Sequence, residues 1–367
     1  MKKIKIILAI ALLHGMLTNA ISQYKFTDEI KLPSTSVKNQ QHTGTCWSFS
    51  TSSFLESEII RMGKEPVNLS EMYNARMAYM DKALNYILRQ GKANFGEGGL
   101  GHDVIRIADK YGVVPLEVYP GLGKGDEILD HSELQAGLAA YVDAVVKNAH
   151  PTTHWNDAIN GMLDAYMGKM PATFEYKGKT YTPLTFKQYL GIRAEDYISI
   201  TSFTHHPYYI SFILEIPDNY ANGSYFNVKL DEMMKVINSA LDKGSTVLWD
   251  GDVSEKGFSQ RNGVAILPEA GVSVNNFASP EKEAPVDAEN RQAGFMNYST
   301  MDDHLMHIIG RARDQNGTVY YIVKNSWGEV GPYNGYIYIS NSYMRMKTIS
   351  VTVNKTTLPS DISSKIQ

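Results

Sequence analysis

The sequence predicts an α+β fold built from two lobes, one mainly helical and one made mainly of β-strands. In the first part of the chain, apolar residues recur at helical spacing over three segments, whereas the last part carries alternating or β-rich runs. The 367 residues exceed what one compact unit usually holds. We therefore expect an inserted subdomain in addition to the two lobes.

Three helices are predicted in the helical lobe, which we bound at residues 21–121. The first covers residues 47–62, where apolar side chains fall near helical spacing and a glycine follows as a C-terminal stop. The second and third are predicted at 69–88 and 104–111. Cys46 then lies at the entry of the first helix.

A largely helical insertion with a return strand is predicted for residues 122–252. Helical spacing of apolar side chains recurs there at 132–147, 156–170 and 230–241. Beyond it, residues 267–300 contain three prolines among alternating charges, a composition typical of a long irregular connection.

The β-lobe is predicted for residues 253–367. Its alternating or β-rich runs occupy residues 305–312, 319–323, 336–339 and 349–353. Asn316-Gly317 is a strong hairpin signal between the first two runs, which makes those strands antiparallel. Their pairing would bring His304 and Asn325, which flank the hairpin, to the same open end.

The chain has a single cysteine, Cys46, placed between a glycine-containing turn and the first predicted helix. An intrachain disulfide is therefore impossible. A thiol at a helix N-terminus has its thiolate form stabilised by the helix dipole and by free backbone N–H groups, which suits a nucleophile. The alternative for any free cysteine is a small buried hydrophobic residue.

Two distant segments favour the interpretation of Cys46 as a nucleophile over that of a buried hydrophobic residue. Asp303-His304 and the run Asn325-Ser326-Trp327-Gly328 supply a histidine followed in chain order by an asparagine. A thiol attacks a carbonyl efficiently only when deprotonated, so it needs an imidazole within hydrogen-bond reach, and a third group must fix the tautomer and plane of that ring. We therefore predict Cys46 as the nucleophile, His304 as the base and Asn325 as the residue that orients the base.

These segments resemble the papain superfamily of cysteine peptidases. The resemblance rests on Gln40, Cys46-Trp47, Asp303-His304 and the Asn325 run. Within the superfamily, residues 43–56, the Gly98-Gly99 pair and residues 110–115 are similar to the bleomycin hydrolase and aminopeptidase C branch. The similarity covers most of the chain after the first thirty residues. It implies a papain-like two-lobed fold, with a helical lobe, an antiparallel β-barrel-like lobe and an inserted helical subdomain.

The resemblance also implies roles for residues around the predicted triad. Gln40 would add its side-chain N–H to the backbone N–H of the nucleophile as an oxyanion hole, with Gln41 as the neighbouring alternative. Trp327 would shield the bond between the base and its orienting residue from water. Gly98 and Gly99 would let a substrate backbone approach closely in extended form.

The expected function is that of an exported cysteine peptidase that hydrolyses peptide bonds through a thiolate mechanism, with aminopeptidase activity as the first subclass. Endopeptidase activity, or amidase activity on a non-peptide substrate, would use the same triad. A further alternative is an inactive homologue that only binds peptides. The presence of Cys46, His304, Asn325 and Gln40 together argues against this last alternative.

Residues 1–20 are predicted to be a secretory signal peptide. A basic start, Met1-Lys2-Lys3-Ile4-Lys5, precedes a short apolar run, and Thr18-Asn19-Ala20 offers a small-residue cleavage site. The apolar run is too short for a permanent anchor. We therefore expect a periplasmic or extracellular protein with no membrane anchor after removal of the signal.

The formal net charge of −4 argues against a nucleic-acid partner. Peptide substrates are the expected partners, and a homo-oligomer is compatible with the sequence. We expect no cofactor and no metal: His150 and His154 are separated by a proline and lack a third ligand, and His205-His206 is similar. His307, three residues beyond His304 on a predicted strand, is expected to be a core or surface histidine rather than a catalytic one.

Overall fold

A computed structural model describes residues 24–366 except 270, 272, 273, 275 and 276. The predicted signal peptide, residues 1–20, lies outside the described residues. The described part of the chain contains both helices and a large sheet, so the predicted α+β class is confirmed.

Six helices of the described residues lie at or close to their predicted positions, and four, the sixth, eighth, ninth and tenth along the chain, were not predicted. Within the described residues they are α1 (Cys46–Arg61), α2 (Glu71–Leu88), α3 (Gly101–Tyr111), α4 (Ser132–Val146), α5 (His154–Met167), α6 (Pro183–Leu190), α7 (Leu230–Asp242), α8 (Ala288–Met296), α9 (Asn341–Lys347) and α10 (Ser360–Ser363). Among these helices, none combines the length and the apolar character needed for a membrane span.

The prediction of irregular structure throughout residues 267–300 was wrong for α8. The carboxylate of Asp287 accepts the backbone N–H groups of Glu289 and Asn290, and the Asn290 side chain accepts the backbone N–H of Asp287. This reciprocal cap starts a helix that the prolines and alternating charges of the segment did not predict.

The strands form one large sheet and a small hairpin. They are β1 (Thr27–Lys31), β2 (Phe174–Tyr176), β3 (Lys179–Tyr181), β4 (Tyr197–Thr201), β5 (Ser211–Ile213), β6 (Ser224–Asn227), β7 (Val247–Gly251), β8 (Phe258–Ser259), β9 (Val264–Ala265), β10 (His304–Arg313), β11 (Val319–Lys324), β12 (Tyr336–Ser340) and β13 (Thr348–Asn354).

The large sheet has the order β5-β6-β4-β13-β7-β10-β11-β12-β9-β8, with β1 paired to β10, while β2 and β3 form the separate hairpin. Its pairs are antiparallel except β4 with β6 and β9 with β12. The strands β4 to β7, which come from residues 122–252, join those from residues 253–367 in the same sheet. The predicted β10–β11 hairpin is present, with Gly317 in the left-handed region at φ +83°.

Helix α1 is the central helix of the molecule. Every residue from Trp47 to Ile59 is buried, so this helix is covered on all sides, as expected for a helix enclosed between layers. It packs on α2 and α3 on one side and on β10 and β7 on the other. Its first residue, Cys46, therefore lies close to the boundary between the helices and the sheet.

Buried charges fix the chain that leads to Cys46. The Lys38 ammonium donates to Glu56 Oε1 of α1 at 2.9 Å and to Glu71 Oε1 of α2 at 2.5 Å. The fully buried Glu56 also accepts the backbone N–H of Leu69 at 2.7 Å. Because one cation joins both helices, the segment before Cys46 has a defined position at the start of α1.

Candidate active site

Cys46 is the first residue of α1 and is half-buried. The Thr45 side chain makes no cap at this helix, and the backbone N–H groups of Ser48 and Phe49 bond to the Thr45 carbonyl. The N-terminal end of the helix therefore faces the thiol with its partial positive charge. The placement of Cys46 at a helix entry agrees with the sequence prediction.

Burial raises the pKa of the Cys46 thiol to about 12, and the negative charges of Asp302 and Asp250 act in the same direction. Backbone hydrogen bonds from Leu305 and Trp47 to the sulfur oppose this change because they stabilise the thiolate. Without a nearby cation the thiol is therefore protonated at neutral pH.

His304 is held by Asn325. The His304 Nε2 atom lies 2.8 Å from Asn325 Oδ1, and both residues are buried. Asn325 is itself oriented, because its Oδ1 accepts the backbone N–H of Ser326 at 2.7 Å and its Nδ2 donates to Gln260 Oε1 at 3.0 Å. With an oxygen facing it, Nε2 carries the ring hydrogen, which leaves Nδ1 of His304 as the nitrogen that can accept a proton.

Trp327 covers the imidazole. Its ring centroid lies 4.8 Å from that of His304 with an interplanar angle of 34°. The same tryptophan contacts Phe258 edge-on. An aromatic cover of this kind excludes water from the bond between His304 and Asn325 and so strengthens it.

Burial lowers the pKa of His304 to about 4, against the opposing effect of its hydrogen bond to Asn325. The lowered pKa of His304 and the raised pKa of Cys46 together favour a neutral thiol and a neutral imidazole at rest. They disfavour a separately charged thiolate and imidazolium. The two charges gain mutual attraction only if they form together, when one proton moves from Cys46 to His304.

Gln40 is held at the loop before Cys46. Its side-chain nitrogen donates to the Thr43 carbonyl at 2.7 Å, and its side-chain oxygen accepts the Ser326 hydroxyl at 2.7 Å. An amide nitrogen has two hydrogens, so one remains for a ligand. The exposed Gln41 is turned elsewhere, since its side-chain oxygen accepts the backbone N–H of Leu129.

Gly98 and Gly99 lie beside the start of α1, with Gly98 half-buried and Gly99 buried. A Cβ atom on Gly98 would meet Asp218 Oδ2 at 1.8 Å, and one on Gly99 would meet the Trp47 ring at 2.9 Å. Close packing within the protein therefore already requires glycine at both positions. The predicted role in substrate binding stays a prediction.

Two serines of α1 join the helix that begins with Cys46 to the strand that begins with His304. The Ser50 hydroxyl donates to the Leu305 carbonyl at 2.5 Å, and the Ser53 hydroxyl lies 2.9 Å from His307 Nδ1. His307 is fully buried, as expected for a core histidine. These contacts fix the position of α1 relative to β10, and with it the position of Cys46 at the start of α1.

One group of possible metal ligands converges among the described residues. The Nε2 atoms of His205 and His206 lie 3.2 and 2.7 Å from the two carboxylate oxygens of Glu215. The prediction that this histidine pair lacks a third ligand was wrong, because the chain folds back and brings Glu215, ten residues beyond His205, next to both imidazoles. The absence of a metal stays a prediction.

Sequence reasoning missed three residues around the site. Gln260 accepts a hydrogen bond from Asn325, which lies 65 residues further along the chain, and no periodic pattern in the sequence identifies this glutamine. Asp250 and Asp302 act electrostatically on Cys46, as described above. Asp302 lies two residues before His304. Its closeness to the predicted base in the sequence was the one signal that could have identified it.

Replacing Asn325 by alanine should leave partial activity. The change removes the acceptor that orients the ring of His304, so we expect kcat/KM to fall about 10- to 100-fold. Steady-state hydrolysis of a fluorogenic peptide measures this, with Asn148→Ala at an exposed position as the control. Wild-type activity in Asn325→Ala would contradict an orienting role for the asparagine.

Comparisons with known proteins identify the family of the chain. A model of the Peptidase C1-like family matches residues 12–367. Aminopeptidase C of Lactobacillus delbrueckii subsp. lactis is 24% identical, over 92% of this chain and 83% of the relative. Aminopeptidase C of Listeria innocua is 26% identical, over 89% of this chain and 81% of the relative.

Among solved structures, the crystal structure of pepw from Lactobacillus rhamnosis superposes with a TM-score of 0.72 at 21% identity, covering 92% of this chain and 84% of that one. This likeness confirms the predicted papain-like fold. The chain belongs to the Peptidase C1-like family and is a papain-like cysteine peptidase of the bleomycin hydrolase and aminopeptidase C branch.

Proposed function

We propose that Cys46, His304 and Asn325 hydrolyse peptide bonds, and that the enzyme removes residues from the free amino end of peptides. The observation that carries the proposal is the buried hydrogen bond of 2.8 Å between His304 and Asn325, which leaves His304 Nδ1 free to accept a proton. The relatives named aminopeptidase C support the choice of aminopeptidase activity.

In the first half of the reaction, the Cys46 sulfur attacks the carbonyl carbon while its proton passes to His304 Nδ1. The carbonyl oxygen takes the negative charge, and the backbone N–H of Cys46 and the second side-chain N–H of Gln40 stabilise it. The C–N bond then breaks, and the imidazolium gives its proton to the leaving amine. The product of this half is a thioester on Cys46.

In the second half, a water molecule attacks the thioester carbonyl and loses a proton to His304. The C–S bond breaks, the acid is released, and the sulfur regains a proton from His304. The neutral resting forms that burial favours are thus restored at the end of each cycle.

The test compares two fluorogenic peptides that differ only at the amino end, one with a free α-amine and one with that amine blocked. We expect the purified protein to hydrolyse the free-amine peptide with the higher kcat/KM. Preferred turnover of the blocked peptide would replace the aminopeptidase proposal by endopeptidase activity. No turnover of either peptide, with Cys46 still alkylated by iodoacetamide, would contradict peptide hydrolysis itself.

A further inference from the structure

Two adjacent histidines on the loop between β4 and β5 direct the same ring nitrogen to one carboxylate. The His206 Nε2 atom lies 2.7 Å from Glu215 Oε1, and the His205 Nε2 atom lies 3.2 Å from Glu215 Oε2. One ligand atom from each of the three residues lies within 4.8 Å of the other two, and we call the three residues the His-His-Glu cluster. The expectation of no metal at this histidine pair rested on the lack of a third ligand, and Glu215 removes that reason.

The backbone of the loop is held by Asn227, which is fully buried at the end of β6. Its side-chain oxygen accepts the backbone N–H of Phe203 at 3.0 Å, and its side-chain nitrogen donates to the carbonyl of His206 at 3.0 Å. Glu215 lies two residues beyond β5, which pairs with β6. The two histidines and the carboxylate are therefore brought together by the backbone of one folded segment.

Phenylalanines fix the planes of both imidazoles. The His206 ring stacks on Phe212 of β5, with centroids 4.1 Å apart and an interplanar angle of 27°. The His205 ring stacks on Phe295 of α8, with centroids 5.7 Å apart and an angle of 21°. A ring that is already held in one orientation loses little rotamer freedom when it binds a ligand. Stacking therefore preorganises both imidazoles.

Gln292 of α8 can bond to His205 in either neutral form of the ring. The side-chain oxygen of Gln292 lies 3.3 Å from His205 Nδ1, and its side-chain nitrogen lies 3.1 Å from the same atom. When the amide nitrogen donates to Nδ1, the ring hydrogen is on Nε2 and faces Glu215. When the amide oxygen accepts a hydrogen from Nδ1, the lone pair of Nε2 is free, which is the form that binds a metal.

The carboxylate of Glu215 has no permanent counter-charge. Among the described residues, no lysine or arginine nitrogen lies within 4.0 Å of it, and its ion-pair partners are the two imidazoles. An imidazole is positively charged only when it is protonated. The side chains of His205, His206 and Glu215 are 25%, 31% and 57% exposed, so a cation can reach the cluster from solvent.

We propose that His205, His206 and Glu215 bind a zinc ion, with water at the fourth position. Two histidine nitrogens and one carboxylate oxygen are a known zinc ligand set. Tetrahedral zinc holds such atoms about 3.3 Å apart, close to the 3.2 Å between His205 Nε2 and Glu215 Oε2. The exposed Glu215 side chain can turn to lengthen its shorter contact with His206. On binding, the hydrogen of each Nε2 atom exchanges through solvent to Nδ1, so that the lone pair of Nε2 faces the ion.

The bound ion would join the loop after β4 to the segment after β5. β5 is at the edge of the large sheet, and four strands lie between it and β10, which begins with His304. The zinc site is therefore separate from the proposed reaction and does not rest on it. Its expected effect is to stabilise this edge of the sheet, since an ion that binds only the folded chain favours the folded state.

The test is a titration of Zn²⁺ alone into untagged, chelator-treated Cys46→Ser protein, in which no thiol is left to capture zinc. We expect one Zn²⁺ per chain with a Kd of about 10 μM or lower, measured by calorimetry and by metal analysis after equilibrium dialysis. In the same background, His206→Ala and Glu215→Gln should each raise the Kd about tenfold or more. The control is His154→Ala, which removes an exposed histidine outside the cluster.

Variants of Gln292 separate a built site from three ligands that are merely close together. Gln292→Leu keeps all three ligands but removes the acceptor for Nδ1 of His205, so we expect the Kd to rise about tenfold. Gln292→Glu keeps an acceptor at this position and should bind zinc at least as tightly as the protein with Gln292. Unchanged affinity in Gln292→Leu would overturn the positioning role of Gln292.

Two results would overturn the zinc site. One is the absence of binding to the Cys46→Ser protein up to about 1 mM Zn²⁺. The other is a Kd that His206→Ala and Glu215→Gln leave within about twofold, because the ion would then bind elsewhere on the surface. Neither result depends on whether the wild type hydrolyses peptides, so failure of the zinc site and failure of the proposed function are distinguishable.

Thermal melting gives an independent measurement. Saturating Zn²⁺ should raise the melting temperature of the Cys46→Ser protein by about 2 °C or more, and a chelator should reverse the rise. His206→Ala in the same background should show no such rise. Melting in the presence of chelator shows that each variant folds. An equal rise with and without His206 would contradict binding at the cluster.

Discussion

Cys46→Ser should abolish peptide hydrolysis, with kcat/KM lowered about 10³-fold or more. A serine hydroxyl holds its proton far more tightly than a thiol, and His304, whose pKa burial already lowers to about 4, is a weak base for removing it. Hydrolysis of the free-amine fluorogenic peptide measures the loss. The melting temperature should stay close to that of the wild type, because oxygen replaces sulfur without a change of branching at a half-buried position.

Wild-type rates in Cys46→Ser would remove the nucleophile from the proposed mechanism. Since the chain has no second cysteine, the same variant also serves as the blank for every labelling experiment. Any iodoacetamide incorporation left in it comes from side chains other than a thiol.

His304→Ala should remove hydrolysis to a similar extent and should change how alkylation of Cys46 depends on pH. In the wild type the proton of the thiol moves to His304 within the site, so no net proton is released. The alkylation rate should therefore be nearly constant from about pH 6 to about pH 8, between the lowered pKa of His304 near 4 and the raised pKa of Cys46 near 12.

Without the imidazole, the thiolate forms only by loss of a proton to solvent. Below the raised pKa of Cys46, its fraction rises tenfold for each pH unit, so the alkylation rate in His304→Ala should rise by about that factor per unit and be much lower at neutral pH. His154→Ala, at an exposed position at the start of α5, is the control. A flat profile in His304→Ala would show that another group takes the proton.

The sequence was most informative where the structure depends on local signals. The helices of the first lobe and the β10–β11 hairpin follow from spacing and from Asn316-Gly317, since both depend on residues close in the chain. His304 begins β10 and Asn325 follows β11, so both lie at the open end of that hairpin. Their closeness could therefore be predicted without knowledge of the rest of the fold. Cys46 could be placed at a helix entry for the same reason.

Contacts between distant segments could not be predicted in this way. Gln260 reaches Asn325 through an arrangement of loops, and a single glutamine has no spacing pattern. Asp250 sits in a run of apolar residues whose period predicts a strand but not its neighbours, so its pairing with Leu305 and Ser350 became visible only in the sheet.

The two serine contacts between α1 and β10 limit how the cleft can change shape. Ser50 and Ser53 are one turn apart on a helix with a pitch of about 5.4 Å, whereas their partners Leu305 and His307 are two residues apart on a strand that advances about 3.3 Å per residue. Because these repeats differ, sliding the helix by one turn cannot re-form both bonds. Translation of one lobe along the other is therefore disfavoured. We expect bulky peptides to be accommodated by hinge-like rotation of the lobes or by movement of the surrounding loops.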